Sequence, residues 1–446
     1  MTEENKAAFL SKAVELLYKN CELWLSTDKE IFISFQVGAK EHRHWENWPL
    51  HSREAEGWIR RSVLATMQKI LRKADIEECK LQLEALALNI NKKEPACLRI
   101  AMRDGNLYVD LGLDDWSAVE ITPQGWDTIA RPPVKFRRAP NMLPMAIPEQ
   151  GGSIELLRDE LNTKNRRDFL LMVSWLIGCF DPFGPYTILT LTGRAGSAKS
   201  TAARTLLSYV NSSQAPTQGA PKSEHDLMVM AEHNVAICFD NSGVMATGSF
   251  LPNALCRLST GGGLSRRTLY SNKEITFFGG ARPVIITAIS QPCKQTDFID
   301  RSIKIELPPI PKGMGMRKTE RDMRAESKSS QSKILGAIFD ILSTLLGNLD
   351  KVNPKEYDLP RMSDFAYWIL CAEEAIGWKK GEFLEYFAIN RAESFNQAMD
   401  GDVLAIGINK LMKQQDKWED TASELITKLT DILGTEAGIP DNPAVL

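Results

Sequence analysis

The strongest chemical signal in the sequence is the run Gly193-Arg194-Ala195-Gly196-Ser197-Ala198-Lys199-Ser200, followed by Thr201. It stands between an apolar stretch, ILTLT, and a helix-forming run, STAARTLLSYV. A strand that enters a glycine-rich turn and then opens a helix aims backbone N–H groups at one point, and such a point suits phosphate oxygens. Lys199 adds a cation for the outer phosphates and Ser200 a hydroxyl for Mg²⁺. The chemistry implied is binding of a nucleoside triphosphate, with ATP and Mg²⁺ as the expected cofactors and Gly193, Gly196, Ser197, Ala198, Lys199, Ser200 and Thr201 as the cradle. Ala198 stands where a glycine usually precedes the lysine, and its methyl is tolerable if the residue keeps a negative φ. The alternative for the same text is a glycine-rich turn without a ligand.

Phosphoryl chemistry also needs a carboxylate on a neighbouring strand, beside the cation. Val235-Ala236-Ile237-Cys238-Phe239-Asp240 supplies five apolar residues ending in an acid, and Asn241 comes next. Asp240 is the expected metal ligand together with Ser200. Asn241 can orient a water without accepting its proton, so hydrolysis would be slow or use another base. Arg282-Pro283-Val284-Ile285-Ile286-Thr287 reads as a buried strand with Thr287 where a sensor of the outermost phosphate would sit. Arg301 precedes the strand SIKIEL; it is expected either to reach a neighbouring subunit's nucleotide or to pair with Asp297 or Asp300.

The segment 261–273 begins with three glycines and carries Arg266, Arg267, Tyr270 and Lys273. Cations for phosphates and an aromatic face for a base make these four candidates for gripping a nucleic-acid backbone. A solvated loop, or for Arg267 a nucleotide contact across a subunit interface, is the alternative. His42, His44 and His51 lie in polar and aromatic text with no paired cysteine or acid to complete a metal set, and read as structural. The charged run 312–333 reads as a solvated helix or linker.

These residues need a scaffold, and the composition allows one. The chain has 446 residues, 43% hydrophobic and 25% charged, which fits a globular protein of about three units and excludes a disordered or fibrous one. A net charge of -3 gives no global cationic field, so any nucleic acid must be met by local patches. Eight cysteines without a CxxC pair read as buried thiols of a reducing compartment. With no signal peptide and no apolar run near the length of a bilayer span, a soluble cytoplasmic protein is expected. Residues 1–150 are predicted to form a small α+β domain, with an opening helix (AFLSKAVELLYKN) and strands at IFISF, CLRIAM and LYVDLGL. Its end is set at the proline-rich basic text RPPVKFRRAPNMLPMAIP and Gly151-Gly152. From 151 to 312 helices (the first at SIELLRDEL) alternate with apolar strands, the pattern of an α/β layer on a mainly parallel sheet. Residues 313–446 read as a helical domain.

The ordered series GRAGSAKST, DLMVMAEHNVAICFDN, ALCRLSTGGGLSRRTLY, RPVIITAI, DFIDRSIKIEL and LPRMSDFAYW resembles the helicase-type ATPases of phages, satellites and integrated mobile elements, over roughly residues 100 to 434. These are related to superfamily-3 helicases and to the helicase half of phage primase-helicases. The resemblance implies an AAA+ P-loop core that assembles as a homo-oligomeric ring, a hexamer, around single-stranded or forked DNA. By position, Lys199, Ser200, Asp240 and Asn241 fall on its nucleotide motifs, Arg267 on its arginine and Arg301 on its Asp-Arg motif. Three departures stand out: Thr287 replaces the sensor asparagine, Asn272 replaces an acid, and no primase-like domain precedes the core. Residues 403–434 resemble the opening of a winged-helix module, and the text GTEAGIPDNPAVL follows before any recognition helix. The expectation is therefore that this chain lacks sequence-specific duplex binding of its own, either as a shortened form or because a partner, a separate primase or origin-binding protein, supplies it; the alternative is that the terminal helices are a lid on the ATPase core. The function expected is an ATP-dependent DNA helicase or replication-initiation ATPase; the alternative is a nucleotide-gated assembly or DNA-binding module that hydrolyses little.

Overall fold

The computed structural model describes residues 3–39, 43–245, 248–267, 275–278, 280–311, 313, 320–399, 403–415 and 417–434. The chain opens with α1 (Glu3–Lys19), continues through β1 (Cys21–Leu25), β2 (Ile31–Val37) and β3 (His44–Pro49), and adds α2 (Arg53–Met67) and α3 (Lys73–Ile90). The three strands form an antiparallel meander in which Ile33 faces Leu23 on one side and Trp48 on the other. Ser52 starts α2 by accepting a hydrogen bond from Ala55 N at 3.2 Å, which satisfies a donor the first helical turn leaves open. Leu17, Ile33, Phe35, Ile59, Ile76 and Leu83 close an apolar core belonging to these elements alone.

Next come β4 (Ala96–Cys97), β5 (Ile100–Arg103), β6 (Asn106–Asp110), β7 (Ala118–Thr122), β8 (Gly125–Ile129) and β9 (Lys135–Phe136). β5 to β8 form a second antiparallel meander, while β9 pairs in parallel with β4. The period-two side chains Leu107, Val109, Val119 and Ile121 join the large core of the chain rather than the N-terminal one. The break between the two apolar clusters thus falls between residues 87 and 100, ahead of the boundary expected at 150. The proline-rich text before 150 is a strap against a later helix. Glu149 N donates to Ser332 O at 2.9 Å, and a Cβ on Gly152 would lie 1.8 Å from Lys333 O, so only glycine allows this approach.

The remaining elements are α4 (Arg166–Gly178), β10 (Ile188–Thr192), α5 (Lys199–Ser208), α6 (Glu224–His233), β11 (Ile237–Phe239), α7 (Leu251–Thr260), β12 (Leu264–Arg267), β13 (Ile275–Phe278), β14 (Val284–Ala288), α8 (Thr296–Ile299), β15 (Ser302–Glu306) and the helices α9 (Glu320–Asn348), α10 (Ser363–Ile376), α11 (Glu382–Met399), α12 (Val403–Met412) and α13 (Ala422–Leu433). β11, β14, β10 and β15 make a parallel sheet in that order, the mixed α/β layer expected from the alternation. β10 and β14 are buried along their whole length, as strands covered on both faces must be. α4 is buried from Asp168 to Gly178, a helix enclosed on all sides. One expected helix differs: SIELLRDEL gives a six-residue 3-10 turn, Ile154–Asp159, initiated by Ser153. β12 and β13 pair as an antiparallel hairpin.

Candidate functional site

In an open parallel sheet, ligands bind beyond the carboxyl ends of the strands where the strand order reverses. β10 is such a strand, with β14 on one side and β15 on the other, and the residues that could do chemistry gather at its carboxyl end. Leu307 N donates to Thr192 O at 2.8 Å and Gly193 N to Ile289 O at 3.3 Å, anchoring the exit of the chain from β10. Gly193 has φ 144° and Gly196 φ 79°. A Cβ on Gly193 would sit 2.5 Å from Leu307 O and 2.8 Å from Ser197 Oγ. The loop 193–198 then delivers α5, whose first N–H groups have no intrahelical acceptor and carry the positive end of the helix dipole.

Ala198, the residue before Lys199, has φ 63° and ψ 25°. The negative φ expected for it is not adopted: the turn requires the left-handed conformation that a glycine supplies without cost, and Ala198 takes it with its methyl in place. Ala198 O still accepts from Ala202 N at 2.9 Å, so the helix start is intact. Thr201 lies half-buried in the first turn.

Lys199 Nζ donates to Gly193 O at 2.8 Å and Arg194 O at 3.0 Å, and lies 3.5 Å from Ser197 Oγ. Partial burial pulls its pKa below the usual lysine value, with Asp240 pulling it the other way. Across the sheet, Ser200 Oγ donates to Asp240 Oδ1 at 2.7 Å. The same oxygen accepts from Thr287 Oγ1 at 2.5 Å and from Asn241 N at 3.1 Å. Asn241 N also donates to Thr287 Oγ1 at 2.8 Å, and Asn241 reaches this position with φ 52°. Thr287, expected to face the outermost phosphate, therefore has its hydroxyl engaged on both sides by Asp240 and Asn241.

Asn162 is a residue the sequence reading missed. Its Nδ2 donates to Ser197 O at 3.1 Å and Pro308 O at 2.6 Å, tying the loop to the strand-end segment after β15. Ile310 N adds a bond to Gly196 O at 3.4 Å. No spacing signal marks Asn162, because its role arises from a contact between distant segments.

Arg301 lies at the opposite, amino end of the sheet. Its carbonyl accepts from Ile188 N at 2.8 Å, at the start of β10, so the strand separates it from the loop by roughly 13 Å. Its guanidinium pairs with Asp297 and donates to Asp297 O at 2.9 Å, and its side chain is 13% exposed. Arg361 pairs with Asp297 at 2.7 Å and Asp300 at 3.8 Å, and Arg391 pairs with Asp300. The hydrogen bond from Arg301 is the main cause holding the Asp297 carboxyl below its usual range, against the opposing effect of burial. Arg361, inside LPRMSDFAYW but given no role from the sequence, is the most exposed of the three arginines, at 48%.

Arg266 and Arg267 are on β12; Tyr270, Asn272 and Lys273 lie outside the described residues. His44 bonds Glu46 at 3.1 Å and His51 is 3.5 Å from Glu84, while His42 is outside the described residues. The cysteines are all free, and six are buried. Among the described residues no helix is long and apolar enough to cross a membrane.

Comparison with known proteins adds a family. No curated protein matches the chain. Among solved structures it is similar to the NrS-1 C-terminal region in its A form without ligand, at 12% identity over 82% of this chain and 89% of that one, with a TM-score of 0.40. A second structure of that region gives 12% identity over 86% and 93%, with a TM-score of 0.39. The JCV helicase gives 10% over 54% and 63%, with a TM-score of 0.27. Residues 154–386 match the model of the actinomycete integrative conjugative element replication protein family, a span holding the loop, Asp240, Thr287, Arg301 and Arg361. That is more than half of the 446 residues, and the chain belongs to this family of mobile-element replication proteins.

Proposed function

We propose that the protein is an ATP-dependent, ring-forming DNA helicase or replication-initiation ATPase built on an AAA+ P-loop core. The observation that carries this reading is the convergence at one sheet edge of the loop 193–198, the Lys199 ammonium and the 2.7 Å Ser200–Asp240 pair. This donor set fits a triphosphate and a divalent cation: loop amides and Lys199 suit phosphate oxygens, while the Ser200 hydroxyl and Asp240 carboxylate suit the metal. Bound Mg²⁺-ATP supplies the transferable phosphoryl group and a cation that neutralises its developing charge.

The chain's own residues do the rest. Lys199 exchanges the carbonyls of Gly193 and Arg194 for phosphate oxygens. Ser200 and Asp240 would hold the cation, and Thr287, bonded to Asp240 and Asn241, keeps both in place. Asn241 orients the attacking water. Arg301, too far along the sheet to reach its own loop, serves a neighbouring subunit's site, and three arginines against two aspartates leave one positive charge in excess there. The partners are single-stranded or forked DNA, further copies of the chain in a hexamer, and a separate primase or origin-binding protein.

An amide at 241, with Thr287 bonded to Asp240, favours a second reading, a nucleotide-gated assembly that hydrolyses little. Measuring ATP turnover with and without single-stranded DNA separates the two. Turnover stimulated by DNA is the expected result; nucleotide binding without turnover in either condition supports the gated module, and no nucleotide binding overturns both.

A further inference from the structure

A shallow, open cleft lies between the N-terminal meander and the strap that follows β8, lined among others by Trp45, Asn47, Trp116, Arg131 and Lys135. Trp45 and Asn47 come from β3, Trp116 from the connection between β6 and β7, and the cations from the strap. Residues 128–148 contain Arg131, Lys135, Arg137 and Arg138 and no carboxylate. Two of the four are turned elsewhere: Arg137 donates to Glu232 O at 2.8 Å, and Arg138 pairs with Asp110 at 2.8 Å. Arg131 and Lys135 face the cleft, and both are held by one carboxylate, Glu22, at 3.0 Å and 2.9 Å.

The aromatic rings are held in place. The Arg138 guanidinium lies 4.0 Å from the Trp116 ring centre, and Trp48 meets Trp116 edge-on at 5.5 Å. The Arg131 guanidinium lies 4.6 Å from the Trp45 ring centre, with its side chain 63% exposed. The half-buried Trp45 indole holds the exposed Arg131 guanidinium over its ring, a place where a base can stack once that cation moves to a phosphate, and two cations sharing one acid leave a charge for that phosphate to meet.

We propose that this cleft is a subsite for single-stranded DNA, in which a base stacks on Trp45 while a backbone phosphate takes Arg131 and Lys135 from Glu22. The inference rests on reading the protein as one that acts on DNA. It assigns a task to the N-terminal part of the chain, in addition to the candidates on β12. Glu22 acts in it as an internal competitor of the phosphate.

The test is anisotropy titration of the full chain with a fluorescein-labelled oligothymidylate over a range of salt concentrations, with DNA-independent ATP turnover read in parallel. Trp45→Ala is expected to weaken binding about tenfold. Arg131→Ala, at an exposed side chain, should weaken it and reduce the slope of log K against log salt by about 0.7. Glu22→Gln should tighten binding severalfold. DNA-independent turnover stays at the parental value in all three. Parental affinity and slope in both Trp45→Ala and Arg131→Ala, or no gain from Glu22→Gln, overturns the proposal. If Trp45→Ala fails to fold, Arg131→Ala and Trp45→Phe, which keeps a ring and is expected to retain most of the binding, still decide it. A parental chain that binds no oligothymidylate overturns the DNA reading itself, whereas binding that ignores these substitutions overturns the cleft alone.

Discussion

The two ends of the parallel sheet are wired in opposite ways. At the carboxyl end Lys199 makes its hydrogen bonds within its own loop, and the Asp240 carboxylate is met by two hydroxyls and an amide. At the amino end Asp297 and Asp300 are tied to Arg301, Arg361 and Arg391, and the Nε atoms of Arg301 and Arg391 are buried without an acceptor among the described residues. At the carboxyl end each charge is met by neutral groups, which an oppositely charged ligand can replace without stranding a charge, while a half-buried ion network resists exchange because each departure strands one. The carboxyl end is therefore built to bind and release, and the amino end to hold arginines at a fixed place. The first should fail in function when altered and the second in stability as well.

The largest effect is expected from Lys199→Ala, which removes the one ammonium the loop carries and should lower ATP turnover at least about 100-fold. The thermal midpoint should move little, since the lysine's bonds stay within its own loop and that to Arg194 O is exposed. Parental turnover would break the contrast at its stronger end. Asp240→Ala comes next: nucleotide binding measured by calorimetry is largely kept while Mg²⁺-dependent turnover is lost. Equal affinity and equal turnover would remove Asp240 from the site.

At the other end, Arg301→Ala should cost about 2 kcal/mol of stability as well as activity, because Asp297 loses a charged partner. Arg361→Ala, at a half-exposed side chain, should lower activity with less than about 1 kcal/mol of stability lost. Mixing decides whether these arginines act between subunits. Lys199→Ala chains keep both arginines and should restore turnover to either variant; no recovery at any ratio would mean that they act within their own chain. Acid titration isolates the network further. Asp297 is more acidic folded than unfolded, so its contribution to stability is complete above about pH 4 and is lost as the pH falls through its depressed folded value. Denaturation midpoints of Asp297→Asn should be lower than the parental ones at neutral pH and should converge on them below about pH 4. Parallel curves would show that the pair contributes nothing.

The contrast also marks what the sequence made legible. The loop 193–200 and Asp240 were readable because each is a local pattern: an apolar strand, then small or acidic residues at its end. The parallel sheet followed from the alternation of elements. Asn162 and Arg361 were not readable, since their roles come from segments far apart in the chain meeting across the sheet. The proline-rich text and Gly151-Gly152 mark a domain end in the sequence because prolines and glycines end regular structure, yet Gly152 is where the chain approaches Lys333 closely. The strand position of Thr287 places it at the site from sequence alone, but the bonds of its hydroxyl to Asp240 and Asn241 join three segments and leave no local signal.

The smallest expected effect tests the geometry of the loop. A residue with a Cβ in the left-handed region costs roughly 1–2 kcal/mol relative to a right-handed one. Glycine relieves that cost at Ala198 but gives the unfolded chain back about 0.4–1 kcal/mol of conformational freedom. Ala198→Gly should therefore be neutral to about 1 kcal/mol stabilising, with turnover retained. Ala202 is the internal standard, in the same helix and only four positions later. Its substitution by glycine should destabilise by about 1 kcal/mol, the ordinary helix penalty, with the lost packing of a buried methyl added. Guanidinium midpoints measured side by side should thus move in opposite directions, or at Ala198 not at all. If both variants fall equally, Ala198 is an ordinary helical residue, the turn into α5 is not left-handed, and the donor geometry assigned to the loop is wrong.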